Sequence, residues 1–241
     1  MFTLRIALFV GCLFSIFHTG NNDAQAEDMA NAGADKAAFT SVLVCNKCHE
    51  HQTKAWAKTP HAKSLKSLKP GQRVEAKLKA KLDPDKDYTN DTKCLGCHTT
   101  GFGKPGGYDP ASPDKFLARV GCESCHGAGS LFRVAHGDAE SRMKREAETT
   151  PRTKLVTAGQ NFEFKKACAR CHLNYEGSPW KDAKAPYTPF TPDIDQKYKF
   201  NFEDRIRSDA IHTHYKLYDI FTGPPIPDFH EEFQSTAEEI E

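Results

Sequence analysis

The sequence predicts a mainly α, single-domain fold with little regular sheet and a core built largely from bound cofactor. Three observations predict it. The chain has 241 residues, of which only 38% are hydrophobic, so side chains alone would make a modest core. Its apolar residues recur at helical spacing in several stretches. Third, the pentapeptide Cys-x-x-Cys-His occurs four times: Cys45, Cys48 and His49; Cys94, Cys97 and His98; Cys122, Cys125 and His126; Cys168, Cys171 and His172. This spacing attaches a c-type haem, with two thioethers to the vinyl groups and the imidazole as proximal iron ligand. Each porphyrin offers a large apolar disc for side chains to cover. Four covalent haem c groups would supply the missing core, and the haem-free chain is expected to fold poorly. The predicted class is a single-domain multihaem cytochrome c.

Zinc is the competing reading for paired Cys-x-x-Cys motifs. Here a histidine follows every copy at once, which a zinc ribbon does not require. Residues 1–26 read as a cleaved secretory signal: Arg5, an apolar run from Ile6 to Phe17, and the small-x-small site Ala24-Gln25-Ala26. The run falls short of the roughly 20 apolar residues of a membrane span. Cys12 lies inside it and leaves with the signal. All remaining cysteines then sit in the motifs and none is left for a disulfide, which fits haem attachment in an exported protein. The predicted organisation is a signal at 1–26 and one tetrahaem cytochrome c domain at 27–241, located in the periplasm and not membrane-spanning. A formal net charge of +1 gives no case for nucleic acid.

The elements follow in order. Residues 27–40 are polar and alanine-rich and read as a mobile N-terminus. Residues 53–82 read as two helical pieces broken at Pro70-Gly71. Leu65 and Leu68 mark one face of the first piece, and Val74, Leu78 and Leu82 recur every four residues in the second. From Lys54 to Lys81 there are nine Lys or Arg against one Glu. Gly101, Gly103, Pro105, Gly106 and Gly107 predict a loop between the second and third motifs. The glycines around the third motif suit either turns or close approach to a flat cofactor. Residues 138–148 read as an exposed charged helix. The run from Tyr175 to Pro192 holds four prolines and four aromatic rings, so it is irregular. Residues 202–221 return to helical character, and the last 14 residues form an acidic tail.

Each iron has a sixth position. Met29 and Met143 lie in polar stretches, which favours histidine there. His51 is too close to His49 and reads as a surface residue, and His230 sits in the acidic tail. His61 and His136 are better candidates. His212 and His214 are alternatives, and the apolar stripe Phe202, Ile206, Ala210, Leu217, Phe221 places His214 nearer the buried face. Three plausible sources for four irons hint at one open haem.

At these residues the chain resembles the tetrahaem cytochrome c-554 family of ammonia-oxidising bacteria over essentially all of 27–241. The stretches that carry the resemblance are His61-Ala62-Lys63, Lys81 to Pro84, Gly121 to Gly127, His172 to Trp180, Ala185 to Pro192 and His212 to Leu217. The resemblance implies a helical periplasmic electron carrier with haems in stacked pairs. It implies hydroxylamine oxidoreductase as donor, and a membrane-anchored multihaem quinone reductase or a small cytochrome c as acceptor. It implies that His136 ligates the first haem opposite His49, His61 the third opposite His126, and His212 the fourth opposite His172. The haem on His98 would be five-coordinate. The family is strongly basic, whereas this chain is near neutral, so attraction to an acidic donor would rest on the patch from Lys54 to Lys81.

The leading expectation is an electron-transfer protein of ammonia oxidation rather than an enzyme, with no catalytic residue. The main rival is a nitric oxide or related small-nitrogen-species reductase at the open His98 haem. A membrane-anchored quinol dehydrogenase is the third reading and would need an uncleaved N-terminal helix.

Overall fold

The computed structural model describes residues 36–208 and 215–239. The signal segment, Met29, His212 and His214 lie outside the described residues. Short helices joined by long connections make up the fold. They are α1 (Val42–Asn46), α2 (Glu50–Ala57), α3 (Val74–Lys79), α4 (Thr92–His98), α5 (Glu123–His126), α6 (Gly129–Glu146), α7 (Thr153–Thr157), α8 (Phe164–His172), α9 (Phe202–Ile206) and α10 (His230–Thr236). Single 3₁₀ turns occupy His61–Lys63, Leu65–Leu68 and Gln196–Tyr198. The sheet is one parallel pair of two-residue strands, β1 (Thr150–Pro151) and β2 (Phe221–Thr222), with Thr150 opposite Phe221. Among the described residues no helix is long and apolar enough to cross a membrane.

The apolar side chains form separate small clusters. Leu95, Tyr108 and Leu117 meet Phe39, Leu65, Phe102 and Ala118 around the second motif. Phe202, Ile206 and Phe233 meet Phe164, Cys168, Phe200 and Phe229 around the fourth. Helices α4 and α8, which carry the second and fourth motifs, lie among these clusters. Residues 99–121 join the second and third motifs through Thr100. Its N–H donates to the Leu117 carbonyl (2.9 Å), its hydroxyl donates to the Arg119 carbonyl (2.6 Å) and accepts from the Gly121 N–H (2.9 Å).

Helix α6 is exposed along most of its length and carries i,i+4 pairs such as Lys144–Glu140 (2.5 Å). Exposed pairs of this kind add about 0.3–0.5 kcal/mol each, so the helix is held by its propensity and by its apolar side. The run from Tyr175 to Pro192 is irregular, as predicted.

Four expectations change. Residues 36–40 are anchored rather than mobile: Ala37 is buried, the Phe39 N–H donates to the Pro105 carbonyl (2.9 Å), and the Ala38 N–H donates to Ser130 Oγ (2.8 Å). Residues 202–221 are not one helix. Helix α9 stops at Ile206, Leu217 is 59% exposed and Phe221 lies in β2, because β1 claims that backbone for its ladder. Part of the acidic tail folds as α10, which buries Phe233 against Phe202 and Ile206. Helix α3 is turned over: Val74 and Leu78 face outward while Lys77 is buried.

Candidate functional site

Each Cys-x-x-Cys-His runs through a helical turn. That geometry puts the two thiols, at i and i+3, and the imidazole, at i+4, on one side of the backbone. In the first motif the His49 N–H donates to the Cys45 carbonyl at 2.9 Å, and in the third the His126 N–H donates to the Cys122 carbonyl at 3.0 Å. Helix α4 starts at Asp91, whose carboxylate caps it by accepting the Lys93 N–H (3.0 Å). Helix α5 stops at Gly127, whose φ of +88° few side chains tolerate. A Cβ there would lie 2.4 Å from the Gly159 carbonyl oxygen. Close packing of chain on chain therefore demands this glycine.

The motifs meet in pairs that are distant in sequence. The side chains of Cys45 and Cys122 lie close enough to act on each other, as do those of Cys97 and Cys171. Cys125 lies close enough to Cys168 and Cys171 to raise both thiols electrostatically. The contacts thus run from the first motif to the third, the fourth and the second. None of the eight motif cysteines is in a disulfide among the described residues. Burial pushes Cys94 up to about 11 and Cys168 up to about 12.

Glu123, inside the third motif, ties the first contact together. It is 2% exposed. Its carboxylate accepts the N–H groups of Thr40 (2.9 and 3.1 Å), Ser41 (2.8 Å) and Gly129 (2.6 Å), and the Thr40 hydroxyl (3.2 Å). Ser41 caps α1 and Gly129 begins α6. One side chain thus satisfies the starts of two helices and fixes the first motif against the third.

The histidines are held with equal care. His98 Nδ1 lies 2.9 Å from the Ser64 carbonyl and 3.3 Å from Ser67 Oγ. An N–H donated to that carbonyl leaves Nε2 as the lone-pair nitrogen, the usual way a ligating imidazole is oriented. Burial lowers His98, with the Ser64 bond opposing, and takes His172 down to about 4. Neutral imidazole is the ligating form. His172 stacks on Phe200 (4.8 Å between centroids, 12° between planes), and His126 meets Phe164 edge-on at 5.4 Å.

Of the predicted distal residues, His136 on α6 lies close enough to His49 to feel its charge. Its Nε2 meets Gln160 Oε1 at 2.9 Å, which leaves the lone pair on Nδ1. His61 stands beside two motifs. Its carbonyl accepts the Val120 N–H (3.2 Å), two residues before Cys122, and its ring lies 6.1 Å from that of His172. His51 is exposed, with its ring 5.8 Å from Tyr215. His230 begins α10 and is half-buried rather than free in solvent. Ser64, Ser67, Glu123 and Gln160 were not singled out from the sequence, since each acts through a partner between 6 and 83 residues away.

The donor set suits haem c. Paired thiols, neutral imidazoles and two histidines near opposing ones fit the group. So do the side-chain oxygens of Gln52 and Thr53, which are buried without partners just after His49. This arrangement defines a multihaem c-type cytochrome, a protein that carries electrons on covalently bound haem. A family model, Cytochrome c554 and c-prime, matches residues 44–127. Cytochrome c-554 of Nitrosomonas europaea is 51% identical over 205 residues, 85% of this chain and 87% of that protein. The reduced-state structure of that cytochrome matches with a TM-score of 0.82 over 84% of this chain and 98% of its own. The chain belongs to the cytochrome c-554 family.

Proposed function

We propose that this protein is a periplasmic tetrahaem electron carrier of ammonia oxidation, which accepts electrons from hydroxylamine oxidoreductase and passes them toward the membrane quinone pool. The reading places a signal at 1–26 and one functional unit at 27–241. The observation that carries it is the gathering of the four motifs close to one another in one continuous series. The bound haem supplies a reversible one-electron change at iron. The chain's residues do the rest. Eight cysteines hold four groups in covalent register, and His49, His98, His126 and His172 serve as proximal ligands. Ser64 fixes the ring of His98, Phe200 that of His172, and Phe164 that of His126. His136 is assigned opposite His49, with Nδ1 as its ligating nitrogen, and His61 opposite His172, whose ring lies 6.1 Å from its own; this replaces the expected pairing of His61 with His126 and leaves His212 or His214 as the candidate opposite His126.

A spectroscopic spin-state count on the oxidised protein tests the ligand set. Three low-spin haems and one high-spin haem are expected, the latter on His98. Four low-spin haems would remove both the five-coordinate assignment and the rival reading as a nitric oxide reductase. Replacing His212 or His214 by Ala and recounting decides between those two. Reduction of the purified protein by hydroxylamine oxidoreductase with hydroxylamine tests the donor, and no reduction would exclude it.

A further inference from the structure

Helix α3 is built inside out. Spacing alone would bury Val74 and Leu78, yet they are 41% and 58% exposed, while Lys77 between them is 3% exposed. The inversion is held in place. Lys77 Nζ donates to the Lys69 carbonyl at 2.7 Å and sits 5.3 Å from the centre of the Tyr88 ring. Lys79 pairs with Glu75 and with Asp195 of a distant segment, each at 3.0 Å. Burying an ammonium ion is costly unless such partners exist. A fold that buries a lysine to present two aliphatic side chains to water departs from the usual economy, and such departures mark functional surfaces.

The surroundings narrow the role. Arg73 precedes the helix and Lys81 follows it, its N–H bonded to the Leu78 carbonyl at 3.0 Å. Both are exposed, and neither has an ion-pair partner among the described residues. The helix itself lies beside the second motif, which it approaches through its buried Lys77. The Tyr88 carbonyl accepts the N–H of Asp91, the cap of α4, at 3.1 Å, and Lys77 and Lys86 both act electrostatically on the Cys94 thiol.

We propose that this face, Val74 and Leu78 framed by Arg73 and Lys81, on the helix next to the second haem-attachment motif, is the docking site for a redox partner protein that presents an apolar spot within an acidic rim. The inference rests on the reading of the chain as an electron carrier. A patch of two aliphatic side chains suits the small, short-lived interfaces of electron-transfer pairs. Unpaired cations at its edge would speed the approach of an acidic surface. A symmetric pairing of two copies would set Arg73 and Lys81 against like charges, which disfavours self-association.

The test uses the holoprotein and the variants Leu78→Glu, Val74→Glu and Lys81→Glu. Two electron-donating proteins serve as probes, hydroxylamine oxidoreductase and reduced flavodoxin. Affinity is read by calorimetry, and reduction rate by stopped flow, normalised to dithionite reduction, which needs no docking. At low salt, Leu78→Glu is expected to weaken binding and slow reduction at least tenfold with one or both partners. Lys81→Glu is expected to flatten the salt dependence. Changes under twofold with both partners would overturn the proposal. So would wild-type dimers that Leu78→Glu abolishes in sedimentation, or anionic vesicle binding lost in the same variant, since each assigns the face another occupant. If flavodoxin shows the effect while hydroxylamine oxidoreductase fails to reduce the wild type, the docking face stands and the donor assignment falls.

Discussion

Replacing Glu123 by Ala should be among the most damaging single changes in this protein outside the haem ligands. The carboxylate is buried and accepts three backbone N–H groups and one hydroxyl, at 2.6–3.2 Å. Truncation leaves the N–H groups of Thr40, Ser41 and Gly129 without a partner. Each unsatisfied buried donor costs about 1–3 kcal/mol, so an expected loss of about 4–6 kcal/mol allows for partial relaxation and water entry. That is a large part of the ~5–15 kcal/mol that holds a typical domain together. Gln keeps one accepting oxygen but turns an NH₂ toward backbone donors, so about 2–3 kcal/mol is expected for Glu123→Gln. The assay is urea unfolding of the holoprotein followed by far-ultraviolet circular dichroism. Glu50→Gln serves as control, since Glu50 is 60% exposed and among the described residues pairs with Lys54 alone, and it should change stability by less than about 0.5 kcal/mol. A loss below about 1 kcal/mol for Glu123→Ala would refute the claim that this carboxylate fastens the first motif to the third.

Gly127→Ala combines a positive φ with a contact at 2.4 Å to a backbone oxygen; a loss of at least about 2 kcal/mol is expected by the same unfolding assay. Trp56→Phe removes the bond from Nε1–H to the Val120 carbonyl (3.0 Å), and a loss of about 1 kcal/mol in denaturant checks it. The carboxyl of Asp195 is held well below its ordinary range by the Lys197 N–H first, then by the Lys79 and Lys197 side chains. A depressed acid stabilises the fold above its unfolded pKa of about 3.9 and loses that contribution as pH falls through its folded value. The melting-temperature difference between wild type and Asp195→Asn should therefore be full at pH 5–7 and shrink as pH is lowered below 4. A difference independent of pH would exclude an ionic role.

Much of the cofactor chemistry was legible in the sequence because it is local. One helical turn sets the separation of Cys45, Cys48 and His49, and no distant residue need be known to see it. The irregular run after the fourth motif and the charged helix α6 were equally plain, since proline and charge periodicity act over a few residues. The reading failed where a distant segment competes for the same residues. The stripe from Phe202 to Phe221 looks like one helix, but β1 takes Phe221 into a ladder across 71 residues. The polar stretch before Ser41 looks mobile, but Glu123 supplies its hydrogen-bond acceptors. The stripe on α3 has the right period and the wrong side, because the Lys69 carbonyl and the Tyr88 ring offer Lys77 a partner inside.

By itself the sequence determined the cofactor type, the four copies of the Cys-x-x-Cys-His motif and the helical class, since motif spacing and backbone periodicity are short-range properties. Tertiary structure alone decided which motif meets which, how His98 and His136 are oriented, and that an aliphatic pair on α3 faces solvent. Those features depend on hydrogen bonds and packing between residues far apart in the chain. Such contacts exist only once the intervening loops have closed, and no local pattern encodes where they close.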